Sequence, residues 1–377
     1  MVESLPKTAV VVVGAGASAG ASHLTSPVAN DWRPPVVRQL FNWTNASADH
    51  FRNHSGADLI RGAFPELANG DEPDLESRLL ELSRDPYYSR PFVDVPMFLR
   101  DLLLDCGRRC LPGGPETYAT LVGRLLQTGH DVAFVSLNYD NMLEQAVWGF
   151  QRDRRNRGLD GYVSENPLVV KVHGSVDWFW FYPRHDQNPE KFLDTMAEWN
   201  RTNRRPEGQL LVYRSQHSVT APEEHFLDVR DGRYVIVGGG GGSRNPAWAY
   251  PALTAPLAGK TRERIIAPRY HLEALQKLQH RNTKYAFIGT NGYDEHVLQM
   301  LGEHCSPAIN LALVTQTTMS EAEAAATRIV DGMRTGQRDG ELGARTSIWH
   351  EGFREWLRSP AFEKFLELPS PNESIRV

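Results

Sequence analysis

Thr8-Ala9-Val10-Val11-Val12-Val13-Gly14-Ala15-Gly16-Ala17-Ser18-Ala19 is the stretch on which the reading of this chain turns. A largely β-branched run with no alternating polar residue predicts a strand at 8–13 buried on both faces, as in the middle of a parallel sheet. Gly14 ends it, and residues 14–19 satisfy G-x-G-x-x-A directly after the strand. Gly14 can make the turn, and Gly16 lets backbone amides approach a pyrophosphate with no Cβ in the way, with Ala15, Ala17 and Ser18 completing the loop. A plain glycine turn without a ligand satisfies the same pattern. An acidic residue ending a second strand ~20 residues on, the mark of a dinucleotide dehydrogenase, is missing. Asp31 comes too early, within a Pro-rich loop, so hydride transfer is disfavoured.

Two further stretches, SLNYD at 136–140 and KVHGSVDW at 171–178, read as strand ends. They deliver Asn138 and His173 to the rim reached by the glycine turn. Taken singly, Asn138 and Asp140 are good helix caps, and His173 before Gly174 could be turn chemistry. Their occurrence together, in this order, points instead to a loop suited to phosphate, a carboxamide and an imidazole at one sheet edge. Such a set suits cleavage of a nucleotide. The amide orients water or a leaving group without titrating, and an imidazole of pKa ~6.5 takes a proton near neutrality.

Around these stretches strand and helix alternate. Helical patterning is read at 75–82, 97–106 and 117–127, the last closed by Gly129, giving a helical insertion over 20–130. Strands follow at 132–136 and 168–172 with a helix between them over 139–150. Residues 183–260 read as irregular with short strands at 210–213 and 234–237. Helices at 270–281, 293–303 and 320–333 then alternate with strands at 285–289 and 310–315, and an amphipathic helix at 352–366 closes the chain. The expected fold is α/β: a doubly wound, Rossmann-like parallel sheet with an inserted helical subdomain in a single domain spanning 1–377. Ligands on such sheets bind beyond the carboxyl ends of the strands, where all three stretches fall.

Composition narrows the function classes. The 377 residues are 41% hydrophobic and 10% aromatic, with a formal net charge of −5. Nothing global recruits a membrane surface or nucleic acid, and the basic run at 152–157 reads as a solvated loop. No apolar stretch approaches the ~18–20 residues needed to span a bilayer. The start lacks a charged-then-apolar leader, so a cytoplasmic location is expected. Three cysteines, Cys106, Cys110 and Cys305, fit a reducing compartment and complete no tetrahedral zinc set. The five glycines at 238–242 have no lysine after them and are no P-loop; they read as a surface loop. The aromatic run Trp178-Phe179-Trp180-Phe181-Tyr182 is either a contact surface or a buried strand end.

With these motifs in place, the chain resembles the sirtuin (silent information regulator) superfamily, specifically its bacterial NAD-hydrolase branch from anti-phage defence. VVVGAGAS, SLNYDNMLE, KVHGSVDW, YPALTAPLAGK at 250–260 and FIGTNGYDEHVLQML at 287–301 carry the resemblance, which covers nearly the whole chain. It implies NAD+ as substrate, with Gly14, Ala15, Gly16, Ala17 and Ser18 near its phosphates and Gly289, Thr290 and Asn291 on the adenosine side. Asn138 would hold nicotinamide or the attacking water, Asp140 would support that pocket, and His173 would act as general base or stabilise the ribose. No metal is expected. The chain departs from protein-deacylating sirtuins in lacking four zinc-binding cysteines, which argues against deacylation. It reads Ser-Leu-Asn-Tyr-Asp where the branch commonly has Thr-Thr-Asn-Tyr-Asp. The resemblance further implies an NAD-draining effector of abortive infection, homo-oligomeric and without an appended sensor. Its expected partner is a separately encoded HerA-type ATPase, with a short Argonaute complex second. A non-catalytic nucleotide-binding scaffold and a nuclease subunit are the rival readings.

Overall fold

The computed structural model describes residues 7–21, 33–64, 74–109, 113–153, 157–182, 189–202, 209–212, 225–230, 233–238, 247–257, 259–279, 283–337 and 342–367. Asp31, Cys110, residues 154–156 of the basic run and glycines 239–242 lie outside the described residues. In chain order the strands are β1 (Thr8–Val13), β2 (Asp131–Ser136), β3 (Leu168–Lys171), β4 (Gly174–Tyr182), β5 (Gln209–Val212), β6 (His225–Arg230), β7 (Arg233–Gly238), β8 (Ala247–Leu253), β9 (Thr283–Ile288), β10 (Ala308–Val314) and β11 (Gly343–Trp349). The chain divides into two compact units. One comprises Met1–Val36, Gly107–His173 and Ala267–Val377, the other Val37–Cys106 and Gly174–Ile266.

The first unit is built on a parallel six-stranded sheet of order β11-β10-β9-β1-β2-β3, flanked by helices. This is the expected α/β, Rossmann-like sheet. The valines of β1 are buried on both faces, which is why that strand carries no alternation. From β1 the chain steps outward to β2 and β3, then returns to the other side of β1 for β9, β10 and β11. Connections therefore diverge between β1 and β9, the switch point at which such sheets bind ligands. Register sets the level of the rim. Val13 pairs with Ser136 and Ile288, Ser136 with Lys171, Ile288 with Val314, and Val314 with Trp349. Residues just past this row share one edge although the row itself runs from Val13 to Trp349, more than 300 positions apart in sequence.

The second unit holds an antiparallel sheet of order β5-β4-β8-β7-β6. With it are the helices Asn45–Asn53, Ser55–Gly62, Leu75–Arg84, Pro189–Thr202 and most of Asp94–Arg109. Arg100 ties helix to sheet: its Nε donates to the Val176 carbonyl at 3.2 Å and its guanidinium lies 5.0 Å from the centre of the Phe179 ring. Tyr250 Oη donates to the Val93 carbonyl at 2.9 Å. Trp178, Phe179 and Trp180 are buried, so these three are core residues of a strand, not an exposed contact surface.

Three readings are corrected. Residues 183–260 contain a helix and the four strands β5–β8 beside irregular chain; strands of four to seven residues interrupted by loops leave too short a periodicity to read. β11 was not foreseen, because an edge strand reading GARTSIW, largely exposed, lacks a buried face. The closing helix is two helices, Phe353–Arg358 and Pro360–Glu367. Pro360 supplies no amide donor, and Ser359 before it is extended at φ −90° and ψ 157°. Among the described residues no helix is long and apolar enough to cross a membrane.

Candidate functional site

The turns after β1 and β9 lock together. Gly14 N donates to the Ile288 carbonyl at 2.9 Å, Gly16 N to that of Gly289 at 3.0 Å, and Ala17 N to that of Gly14 at 2.9 Å. A Cβ on Gly16 would stand 2.9 Å from the Gly289 oxygen, and one on Gly14 would stand 2.6 Å from it. Gly289 itself sits at φ +65°. The missing side chains at 14 and 16 are thus required by the approach of the β9 turn, and three loop amides are already donated inside the protein. Ala15 and Gly16 are half-buried, while Ala17 and Ser18 are buried in the short helix Ala15–Ala21. Across the switch point Gly289 and Thr290 are half-buried and Asn291 is exposed. The Asn291 carbonyl accepts from Arg328 Nε at 2.9 Å.

Asn138, two residues past the rim row on β2, is buried and tied back to this loop. Its Nδ2 donates to the Gly14 carbonyl at 2.9 Å and to Ser18 Oγ at 2.9 Å. Its Oδ1 is buried and has no hydrogen-bond partner among the described residues. Ser18 Oγ also lies 2.9 Å from Tyr118 Oη. Complete burial, with the nearby Asp140 carboxylate adding to it, raises the phenol of Tyr118 well above its ordinary range, so Tyr118 stays neutral. Asp140 Oδ1 accepts from the Met142 amide at 3.1 Å, at the start of helix Met142–Phe150. Under it lies a fully buried ion pair, Lys171 Nζ to Glu144 Oε1 at 3.0 Å. Lys171 also donates to the Asp140 carbonyl. Burial pushes the Glu144 carboxyl up to about 7 despite the opposing pull of Lys171.

His173 follows β3 by two residues and is 2% exposed. Its Nδ1 lies 3.2 Å from the Leu137 carbonyl, which can only accept, so Nδ1 carries a proton. Facing Nε2 are His296 Nε2 at 3.2 Å and Asp294 Oδ1 at 3.5 Å. The two imidazoles stack with ring centres 5.3 Å apart.

The structure therefore brings Asn138, Ser18 and the Gly14 turn into one hydrogen-bonded cluster, and holds His173 through the residue preceding Asn138. Gly289 and Thr290 close the β9 side. Sequence reasoning missed Tyr118, read only as one face of a helix, and the roles of Asp294 and His296, quoted only within a resemblance. The signal for the latter was a polar Asp-Glu-His run just past a strand end.

No protein-family model matches the chain, and no curated protein matches it. Among solved structures it is similar to Sir2Tm bound to a propionylated peptide, at 11% identity and a TM-score of 0.34 over 96% of this chain and 94% of that one. Sir2 bound to an acetylated peptide is similar at 10% identity and 0.34, again over 96% and 94%. Sir2 in complex with an inhibitor, 2′-O-acetyl-ADP-ribose and a deacetylated peptide is similar at 11% and 0.34, over 96% and 95%. The strand order and register, not these distant likenesses, define the fold.

Proposed function

We propose that this chain is an NAD+ glycohydrolase, cleaving NAD+ with water to nicotinamide, ADP-ribose (or a cyclic form, by internal attack) and a proton. The observation that carries the reading is the Asn138 carboxamide at the switch point. Both acceptors of its Nδ2 lie within the protein, which leaves a buried, unpartnered Oδ1 as its working atom. Such an oxygen can accept from the attacking water or from the amide of a departing nicotinamide. Breaking the N-glycosidic bond builds positive charge on the ribose while nicotinamide leaves neutral, so placing water and excluding other nucleophiles are the main tasks. His173, with Nδ1 on the Leu137 carbonyl, offers Nε2 as the base that takes the proton of the water. Asp140 holds the turn that carries Asn138, and Gly14 to Ser18 with Gly289, Thr290 and Asn291 frame the nucleotide.

In the cell this activity would serve as an NAD-depleting effector of bacterial anti-phage defence, assembled as a homo-oligomer and released by a HerA-type ATPase partner, or by a short Argonaute as second choice. The family resemblance of the motifs supports this wider role, because a constitutive NADase is toxic to its host.

The test is nicotinamide release by the purified chain, alone and with each candidate partner. Asn138→Ala is expected to lower turnover by ~10²–10³, the usual loss for a preorganised polar group. His173→Ala should lose turnover while still binding NAD+, since a base acts on the chemical step. A wild-type chain that binds NAD+ but releases no nicotinamide in any assembly would make the protein a nucleotide-binding scaffold instead.

A further inference from the structure

We infer that His173, Asp294 and His296 form a binding site for one divalent transition-metal cation. Their three donor atoms all lie within 4.8 Å of one another. The two Nε2 atoms are 3.2 Å apart, and Asp294 Oδ1 is 3.5 Å from His173 Nε2. Two nitrogens on a tetrahedral cation at ~2.0–2.1 Å stand ~3.4 Å apart, so His173 and His296 are already spaced as ligands of one ion, with the Asp294 oxygen beside His173. The outer contacts agree. A metal-ligating histidine typically donates its other ring N–H to a backbone carbonyl, and His173 Nδ1 does so to Leu137. Asp294 occupies the N-cap position of helix Glu295–Gly302 but makes no side-chain cap hydrogen bond; its carboxylate faces the imidazoles. Both histidines are buried, whereas the Asp294 side chain is 22% exposed and gives the cation a way in.

A donor set of two imidazoles and one carboxylate suits Zn2+, Fe2+, Co2+ or Mn2+ over Mg2+ or Ca2+, which prefer all-oxygen ligands. Three protein ligands leave at least one coordination position open, as in catalytic sites. Without a cation, one Nε2 must donate to the other; with it, both lone pairs converge on the ion. A bound cation also takes the Nε2 lone pair that a free-base His173 would use, so the two states exclude one another. The inference stands on ligand geometry and does not depend on NAD+ hydrolysis.

The test uses the full chain stripped with chelator, then titrated with Zn2+ by calorimetry and with Co2+ by visible absorption. We expect one equivalent of either ion, and Co2+ bands of low coordination number. Asp294→Asn should weaken binding at least ~tenfold and His296→Gln more, in proteins whose circular dichroism matches wild type. Asn138→Ala should bind as wild type does. Wild-type protein that takes up no ion, or binding that survives both ligand substitutions unchanged, would overturn the site and leave a His–His hydrogen bond in its place. Ion binding and nicotinamide release are read separately, the latter on chelator-stripped protein with each candidate partner. Zn2+ binding with no release from the stripped protein sinks the proposed hydrolase and not this site, and release with no ion uptake does the reverse.

Discussion

At φ +65°, with an added Cβ standing 1.9 Å from the amide nitrogen of Ala17, Gly289 has neither the backbone conformation nor the room for a side chain. The left-handed conformation alone costs an L-residue ~1–2 kcal/mol, and here the β9 turn must also withdraw from the loop after β1. Gly289→Ala is therefore expected to lower stability by more than ~2 kcal/mol in denaturant melts, and to disturb Asn138, whose Nδ2 is anchored on that loop. Tyr118 bears on the same carboxamide through Ser18 Oγ and through its own polar contact with Asn138. Tyr118→Phe removes one hydroxyl and leaves the Asn138 bond to Gly14 intact. Its turnover of NAD+ should fall, but less than that of Asn138→Ala, with KM nearly unchanged. Equal loss in both variants would place Tyr118 itself against the substrate.

Between elements, the buried Lys171–Glu144 pair joins the end of β3 to helix Met142–Phe150 directly beneath the turn of Asn138 and Asp140. Removing one member of a buried pair strands its partner, typically at 3–5 kcal/mol. Lys171→Met should approach ~3 kcal/mol, because Glu144 escapes part of the penalty by protonating. With the ammonium gone, its carboxyl rises further above 7. The double variant Lys171→Met with Glu144→Leu, which removes both charges of the pair, should be more stable than the single one. Chemical denaturation of the three proteins at pH 7 checks the order. A double variant less stable than Lys171→Met would mean that the pair stabilises beyond its own charges.

For the first unit as a whole, three buried groups shape how stability varies between about pH 4 and 7. Burial lowers both His130 and His271 to about 4, and the positive charges of Lys284 and Lys7 add to this at His130. The folded unit thus holds both imidazoles neutral, and the unfolded chain takes up a proton on each below its ordinary 6.5. Their contribution is present above pH 6.5 and lost as pH falls toward 4. Glu144, raised to about 7, has the opposite sign: its contribution is present below 4.5 and lost as pH rises toward 7. Between pH 4.5 and 6.5 the two histidines outweigh the one carboxyl. Unfolding then takes up a net proton, and stability rises by ~1.4 kcal/mol per pH unit. His271→Gln, which keeps a donor for the Leu159 carbonyl that His271 Nε2 meets at 2.9 Å, should lower that slope by ~1.4 kcal/mol per unit. An unchanged slope would show that His271 titrates alike in both states.

The sequence by itself determined the sheet that carries the site. A run of valines with no alternating polar residue marks a strand buried on both faces, so β1 was legible from its pattern alone, and a glycine turn, an asparagine and a histidine could be placed just past strand ends without any contact being known. It also marked Asn138 and His173 as candidates, each explicable singly as a cap or a turn residue, through their occurrence together and in order at strand ends. Tertiary structure decided the rest, because the deciding contacts are non-local. Glycines 14 and 16, read as room for a phosphate, are used by the backbone of Gly289, about 270 residues away. Ser18, read as a ligand contact, is buried between Tyr118 and Asn138. Residues 37–106, part of the segment read as a helical insertion over 20–130, and residues 174–266, which contain the stretch read as irregular over 183–260, fold into one unit, since neither periodicity nor composition records which distant segment supplies a buried face. Asp294 and His296 meet His173 only because parallel register brings the ends of β3 and β9 to one level of the sheet, and that alignment exists in three dimensions alone.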